Sequence, residues 1–112
     1  MTTLFEKISQ RELPAEFLYE DDRCFVIRDI VPLAPVHLLI IPRKALVNLY
    51  EIEDEDVLLL GHLLKISKKM AEMFGDGNGF RIVINSGKLA GQIVPHLHLH
   101  LLTGKSLSQR FS

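Results

Sequence analysis

Histidines recur at every second position near the end of the chain. His96, His98 and His100 alternate with leucines in the segment Val94 to Leu102, and they are three of the five histidines in the sequence. If this segment is a strand, alternate side chains point to opposite faces, so the imidazoles share one face while the leucines pack on the other. A purely structural strand gains nothing from a face lined with imidazoles. The spacing therefore indicates a catalytic or metal-binding site.

A cluster of imidazoles suits nucleophilic attack on phosphorus. Two imidazolium ions about 6 Å apart repel by roughly 3 kcal/mol at an effective dielectric of about 20, which corresponds to about two pKa units. At least one ring is therefore neutral at neutral pH. A neutral ring offers a lone pair to phosphorus, and a charged neighbour stabilises the phosphate oxygens. His37, on another predicted strand, is a candidate fourth member of the cluster.

A zinc site is the main competing interpretation of the cluster, because imidazole is a common zinc ligand. Along a strand, His96 and His100 would be separated by about 13 Å. With Zn–N bonds of about 2.0 Å, both rings cannot reach one ion unless the strand bends sharply. A site of two histidines completed elsewhere, for example by His37, remains open.

The loop before the cluster fits a phosphate better than a carbonyl substrate. Gly91 lets the backbone approach an anion closely, and the amides of residues 86–92, together with Gln92, are donors for non-bridging oxygens. The sequence has no Gly-x-x-x-x-Gly-Lys-Ser/Thr loop and no Gly-x-Ser-x-Gly turn, which argues against a P-loop enzyme and a serine hydrolase. The catalytic strands carry no carboxylate cluster to hold magnesium.

Composition predicts an ordinary soluble protein. The chain has 112 residues and a formal net charge of -1, so we expect one domain and no binding to nucleic acid. No apolar run is long enough to span a membrane, and no signal peptide precedes Glu6, so we expect a cytoplasmic protein without membrane contact. The single cysteine, Cys24, cannot form an internal disulfide and is expected in the core.

The remaining sequence predicts short strands and two helices. Thr3 and Glu6 fit a capping box, which predicts a short helix over residues 4–9. The acidic residues 53–56 and an apolar stripe predict one long helix that ends at Gly75; the stripe comprises Leu59, Leu63, Ile66, Met70 and Met73. Strands are predicted over 17–20, 24–29, 37–41, 80–85 and 94–102. This order predicts an α+β fold, a five-stranded antiparallel sheet with helices on one side.

The segment from His96 to Leu102 resembles the signature of the histidine triad (HIT) family, His-φ-His-φ-His-φ-φ with φ apolar. The resemblance covers nearly the whole chain and is closest to the Hint branch. It also includes Phe5-Glu6-Lys7-Ile8, Glu20-Asp21-Asp22, Arg28-Asp29-Ile30, Ala34-Pro35-Val36-His37, Ile40-Ile41-Pro42, Asn85 and Gly91-Gln92. It implies a single HIT domain over residues 1–112, with its five-stranded sheet extended across a homodimer.

The same resemblance implies hydrolysis of purine nucleoside 5′-phosphoramidates or aminoacyl-adenylates. AMP or GMP would be released through a covalent nucleotidyl-histidine intermediate, without a metal or cofactor. His98 would be the nucleophile, while the other histidines shape and charge the site: His96, His100 and His37. Asp29 would hold the ribose hydroxyls. The purine slot would be lined by Phe5, Ile8, Ile27 and Ile30, and the phosphate would face Asn85, Gly91, Gln92 and Val94.

The sequence departs from the Hint pattern in three places. Ile93 stands where some Hint proteins have a serine that assists the leaving group. Pro95 removes a ladder donor, which predicts an irregular or edge start to the last strand. The tail after Gly104 is short and has no tryptophan, so specificity that relatives draw from their C-termini does not carry over.

Two further interpretations remain open at this stage. A zinc-binding protein or metallohydrolase would hold near-stoichiometric zinc and would be sensitive to chelators. A nucleotide-binding interaction module would bind AMP with little turnover, and the missing serine at Ile93 keeps that interpretation open.

Overall fold

The computed structural model describes residues 2–107. Five strands form one antiparallel sheet in the order β1-β2-β3-β5-β4, which confirms the predicted α+β class. The strands are β1 (Tyr19–Glu20), β2 (Cys24–Arg28), β3 (Val36–Pro42), β4 (Arg81–Val83) and β5 (Leu99–Thr103). The helices are α1 (Leu4–Ser9) and α2 (Val57–Phe74), and three single 3-10 turns cover Leu49–Glu51, Asp54–Asp56 and Lys88–Ala90.

The two helices cover opposite faces of the sheet. Helix α2 packs on β3 and β5, where it shares one buried cluster with Leu38, Leu99 and Leu101. Helix α1 contributes Phe5 and Ile8 to a second cluster on the other face, with Phe25, Ile27, Leu39 and Ile41. The expectation of helices on one side is therefore wrong. Strand β3 is buried on both faces because its alternate residues belong to different clusters.

Local capping explains where the helices begin and end. The Thr3 hydroxyl oxygen accepts from the Glu6 amide, and the Glu6 carboxylate accepts from the Thr3 amide. This confirms the predicted capping box at the start of α1. The acidic run 53–56 forms a 3-10 turn that leads directly into α2, and Gly75 follows its last residue. The predicted stripe is correct at Leu63, Ile66 and Met70. Met73 is exposed, whereas Ala71, which the predicted stripe did not include, is buried.

The last strand is shorter than predicted. It begins at Leu99 rather than at Val94, so His96 and His98 precede the sheet and only His100 lies within it. Pro95 has no amide hydrogen for a ladder, and the next two amides bond elsewhere: His96 to the Val94 carbonyl and Leu97 to the Leu46 carbonyl. The irregular start expected from Pro95 is therefore present.

The burial alternation around the triad survives despite this irregular backbone. Leu97, Leu99 and Leu101 are buried in the cluster under α2. The histidines between them point to the opposite side, where Phe5 contacts two of their rings.

Among the residues that the structure describes, no helix is long and apolar enough to cross a membrane. The end of the C-terminal tail, residues 108–112, lies outside the described residues.

Candidate active site

A cavity of about 350 Å³ opens beside the end of α1 that faces the triad. It brings together eleven of the predicted site residues from both helical and loop segments: Phe5, Ile8, Ile27, Asp29, Ile30, Asn85, Gly91, Gln92, Val94, His98 and His100. A volume in this range is typical of small-ligand sites. A larger cleft of about 540 Å³ lies between the 76–81 and 103–107 segments, but it contains none of the histidines. The chemistry of the lining, not size, identifies the candidate site.

His98 has one ring nitrogen fixed and the other free for chemistry. Its Nδ1 lies 2.7 Å from the His96 carbonyl oxygen, which can only accept, so Nδ1 carries the proton. Nε2 is therefore unprotonated in the neutral ring and keeps its lone pair. Phe5 and His100 hold the ring in edge-on contacts, each with a centroid separation of 5.0 Å. This arrangement presents a nucleophilic nitrogen without the need for a carboxylate partner.

His100 receives a hydrogen bond from His37 behind it. The Leu33 amide donates to His37 Nδ1 at 3.0 Å, so the neutral His37 ring carries its proton on Nε2. That Nε2 lies 2.9 Å from Nδ1 of His100, which must accept, so the proton of His100 is on its own Nε2. The relay from a backbone amide thus fixes two tautomers in sequence. It leaves His100 with an N–H donor beside the cavity.

Burial keeps the relay neutral. Burial, together with the neighbouring His98 and His37, lowers the pKa of His100 to about 4, although Asp29 opposes them. Burial also lowers the pKa of His37 against the attraction of Asp29. Both rings therefore lack a positive charge at neutral pH. His100 serves the site as a neutral hydrogen-bond donor rather than as a cation.

Asp29 directly follows β2 and places its carboxylate at the cavity. Its Oδ1 accepts from the Val31 amide at 2.8 Å, which fixes the turn that leads to β3. Its Oδ2 lies 3.4 Å from His37 Nε2 and 4.0 Å from His100 Nδ1. A carboxylate held in this way retains lone pairs for hydroxyl donors of a ligand.

The same three residues are the best candidates for metal ligands near the triad. Ligand atoms of Asp29, His37 and His100 lie within 4.8 Å of one another. The Leu33 amide, however, occupies the lone pair on Nδ1 of His37. A metal on Nε2 of His37 would displace its only proton and leave the ring without one, which is costly at neutral pH. The hydrogen-bonding pattern therefore favours a relay over a metal centre.

His96 is buried behind the cavity rather than within its lining. Its Nε2 donates to the Pro42 carbonyl at 2.8 Å, and its Nδ1 accepts from the Thr3 hydroxyl at 3.1 Å. Burial lowers the pKa of His96, so this ring is also neutral. The first triad histidine thus connects the end of β3 to the start of α1. Its carbonyl fixes the tautomer of His98.

The phosphate-facing loop is held by Gln92 through its side chain. The amide nitrogen donates to the carbonyls of Val47 and Val94, and the amide oxygen accepts from Asn48 and the Gly87 amide. The backbone amides of Gly91 and Gln92 bond to Lys88 and Gly87. Within residues 2–107, the amides of Ile93 and Val94 have no such partner, so they are the available donors for an anion. Gln92 lines the cavity but acts by positioning this loop.

The other end of the cavity is an apolar slot. Phe5 and Ile8 from α1 face Ile27 and Leu39 from the sheet, and all four belong to one buried cluster. Ile30 stands at the edge of the slot and is 95% exposed, so its side chain is accessible to a bound ligand. These side chains make one part of the cavity wall apolar, and Asp29 lines the same cavity.

Comparison with known proteins assigns the family. Residues 10–107 match the family model for the HIT domain. The chain belongs to the HIT family. It is 51% identical to a HIT-like protein of Synechococcus elongatus over 95% of this chain and 93% of that protein. A crystal structure of a HIT family hydrolase from Legionella pneumophila matches with a TM-score of 0.91 and 43% identity, covering 94% of this chain and 95% of that one.

A histidine triad protein from Clostridium difficile has the same fold. It matches with a TM-score of 0.92 and 38% identity over 99% of this chain and 97% of its own. This HIT domain therefore has the family's fold over nearly its whole length. Its helices and strands share the arrangement of solved HIT structures.

Three residues that line the cavity of this HIT domain were not predicted: Leu4, Arg28 and Leu39. Ile93, which the family resemblance placed at the position of a leaving-group serine, lines the cavity too. The alternation along β3 contains the signal for Leu39, because it faces away from Leu38 and Ile40. Arg28 is adjacent to Asp29 at the strand end. Nothing in the sequence pattern indicated Thr3 as a partner of His96, because 93 residues separate them.

The fifth histidine of the HIT domain belongs to a structural network. His62 on α2 bonds to the Asp21 carboxylate at 2.7 Å, and the same carboxylate accepts from Tyr19 and from the amides of Arg23 and Cys24. Burial raises the pKa of Cys24 to about 12, so its thiol stays protonated. Although burial opposes it, these hydrogen bonds hold the pKa of Asp21 well below its usual range. The network fastens the β1–β2 turn to α2.

Proposed function

We propose that this HIT protein is a nucleotide hydrolase of the Hint type. It cleaves purine nucleoside 5′-phosphoramidates or aminoacyl-adenylates and releases AMP or GMP through a nucleotidyl intermediate on His98. One observation carries the proposal: the His96 carbonyl fixes the proton of His98 on Nδ1, which leaves Nε2 free at a cavity with an apolar slot. The family assignment and the hydrolase named among its relatives support it.

The lining supports a specific placement of the nucleotide. The purine lies between Phe5, Ile8 and Ile27, where apolar and edge-on aromatic contacts stabilise a flat ring. The ribose hydroxyls donate to Asp29, whose carboxylate is next to the slot. The α-phosphate meets the free amides of the 93–94 backbone and the N–H of His100.

Two displacements at phosphorus complete the reaction. The Nε2 lone pair of His98 forms the N–P bond, and the bond to the leaving group breaks with its electron pair. Water then attacks the same phosphorus and gives up a proton to the solvent, the N–P bond breaks, and its electron pair returns to Nε2 of His98. The preset tautomer helps both steps because Nδ1 keeps its hydrogen bond to the His96 carbonyl as the ring becomes cationic. Asn85 and Gly91 line the phosphate end of the cavity.

A single-turnover experiment tests the covalent step. Enzyme mixed with an adenosine phosphoramidate labelled at phosphorus and quenched in alkali should carry label on His98, identified by peptide mapping. His98→Ala should lose label and at least about 10⁴-fold in kcat, the scale expected when a nucleophile is removed. The control is His62→Gln, which alters a histidine outside the cavity. Full activity in His98→Ala contradicts the proposal.

Two additions to this experiment separate the competing interpretations. Turnover should be unchanged by a chelator, whereas a metallohydrolase would lose activity. Wild-type protein that binds AMP but never acquires label would be an interaction module instead of an enzyme.

We also propose that the protein forms a homodimer. Strand β4 lies at one edge of the sheet, so a second copy can pair its own β4 with that edge and extend the sheet. Phe80, directly before β4, leaves an exposed aromatic ring next to the edge. Light scattering over a concentration series should give twice the mass of one chain. A monomer at every concentration would rule out the dimer.

A further inference from the structure

Ile93 lies at the exposed rim of the cavity that contains His98. It follows Gln92 in the loop that faces the phosphate, lines the same cavity as His98, and is 91% exposed. Exposed isoleucines are common on protein surfaces and need no explanation by themselves. In the proposed reaction, however, phosphorus is bound in this cavity, so Ile93 is among the side chains that a departing leaving group can contact.

Proton donors are scarce around that space. The described lining contains no hydroxyl, thiol or ammonium group. Arg28 does not release a proton at any ordinary pH. Asp29 is committed as an acceptor from Val31. Only the two histidines have exchangeable protons of the right type.

Neither histidine is placed to protonate the leaving group. His98 uses Nε2 to bond phosphorus, and its Nδ1 proton points at the His96 carbonyl. His100 is held neutral because burial lowers its pKa to about 4, and a neutral imidazole N–H is a very weak acid. Its Nδ1 is already occupied by the bond from His37. The leaving group must therefore depart without a proton from the described part of the chain.

We infer that this site selects its substrates by the basicity of the leaving group, with Ile93 as the specificity-determining residue. Nucleotides that release a stable anion, above all the carboxylate of an acyl-adenylate, are cleaved well. Alkyl phosphoramidates are cleaved slowly, because the nitrogen must gain a proton before it leaves. The inference rests on the proposed function and narrows its substrate class.

The two substrate classes differ in how the first step balances. With an acyl-adenylate, Nε2 of His98 bonds to phosphorus, the P–O bond to the acyl group breaks, and the pair leaves with the carboxylate. No proton moves. With a phosphoramidate, the P–N bond breaks with its pair on nitrogen, which must take a proton from water. A hydroxyl at position 93 would supply or relay that proton.

A series of adenosine 5′-phosphate aryl esters tests the inference. The phenols should span a wide range of acidity, and kcat/KM should be measured for each beside one acyl-adenylate and one alkyl phosphoramidate. For wild type, log kcat/KM should fall steeply as the phenol becomes more basic. Ile93→Ser should flatten this slope and raise the ratio of phosphoramidate to acyl-adenylate kcat/KM by at least about 10-fold, a modest share of general-acid catalysis.

Two controls separate proton supply from side-chain size. Ile93→Ala removes bulk without adding a hydroxyl, and Ile93→Val preserves an apolar surface, so both should keep the steep slope. A shallow wild-type slope, or equal slopes in the Ser and Ala variants, overturns the inference. Labelled His98 with a shallow slope would sink this inference alone, whereas the absence of any labelled His98 would sink the proposed function itself.

Discussion

The hydroxyl of Thr3 lies 3.1 Å from Nδ1 of His96, which is 93 residues further along the chain. The same oxygen accepts the Glu6 amide at the start of α1. Because His96 Nε2 donates to Pro42, its Nδ1 can only accept, and the Thr3 hydroxyl must be the donor. One side chain thus caps the helix that forms the apolar slot and orients the first triad histidine.

Replacement of Thr3 by valine should affect stability and nucleotide binding together. The variant keeps the side-chain shape but loses both hydrogen bonds, so we expect a decrease of about 1–2 kcal/mol in the free energy of unfolding. KM should rise several-fold because Phe5 and Ile8 move with α1, while kcat should change little. Urea unfolding and steady-state kinetics measure the two effects. Thr3→Ser is the control, and an equal loss in that variant would contradict the assigned role of the hydroxyl.

The relay through His37 should control the rate of the chemical step. In His37→Phe, no group donates to Nδ1 of His100, so the proton of His100 is free to move from Nε2 to Nδ1. A lost hydrogen bond of roughly 1.5 kcal/mol corresponds to a decrease in kcat of about 10-fold. His37→Gln retains an amide donor and should recover part of the rate. Nitrogen chemical shifts of the His100 ring report the tautomer, and an unchanged tautomer in the Phe variant would refute the relay.

Local patterns predict the parts of this fold that local interactions decide. The capping box over Thr3 and Glu6 and the helix that ends at Gly75 both depend on neighbouring residues, and both are present. The sheet face on which α1 packs could not be predicted in this way, because it depends on the path that residues 10–18 take from α1 to the sheet. No periodicity in α1 itself distinguishes the two faces of the sheet.

Sequence spacing identifies the triad but not the different role of each histidine. Alternation correctly separates the histidines from the leucines, even though the ladder begins only at Leu99. It makes His96 and His98 equivalent, whereas the structure buries the first behind the cavity and exposes the lone pair of the second to it. Their difference arises from the carbonyl of Pro42 and the hydroxyl of Thr3, both distant in sequence.

Asp29 should distinguish ribonucleotides from 2′-deoxyribonucleotides. If its carboxylate accepts from the ribose, wild type should lose about 10- to 100-fold in kcat/KM when the 2′-hydroxyl is removed, the scale of a hydrogen bond to a charged group. Asp29→Asn should lose activity on the ribonucleotide and most of this discrimination. Both substrates are compared for both proteins at one pH. Full discrimination in the variant would show that another residue reads the sugar.

The neutral state of His100 should make the protein less stable in weak acid. In the unfolded chain this imidazole has a pKa of 6.5, and in the fold its pKa is lowered to about 4 by burial and by His98 and His37. Between these two pH values the unfolded state takes up the proton more readily than the folded state. The contribution of neutral His100 to the free energy of unfolding is therefore intact above pH 6.5 and decreases as the pH falls towards 4. Urea unfolding at pH 7 and at about pH 4.5 measures the loss.

His100→Asn should reduce the difference in unfolding free energy between these two pH values by roughly 2 kcal/mol. Glu72→Gln, which changes an exposed residue paired with Lys68 on α2, should leave it unaltered. If His100→Asn depends on pH as steeply as wild type, His100 is not held neutral by the fold.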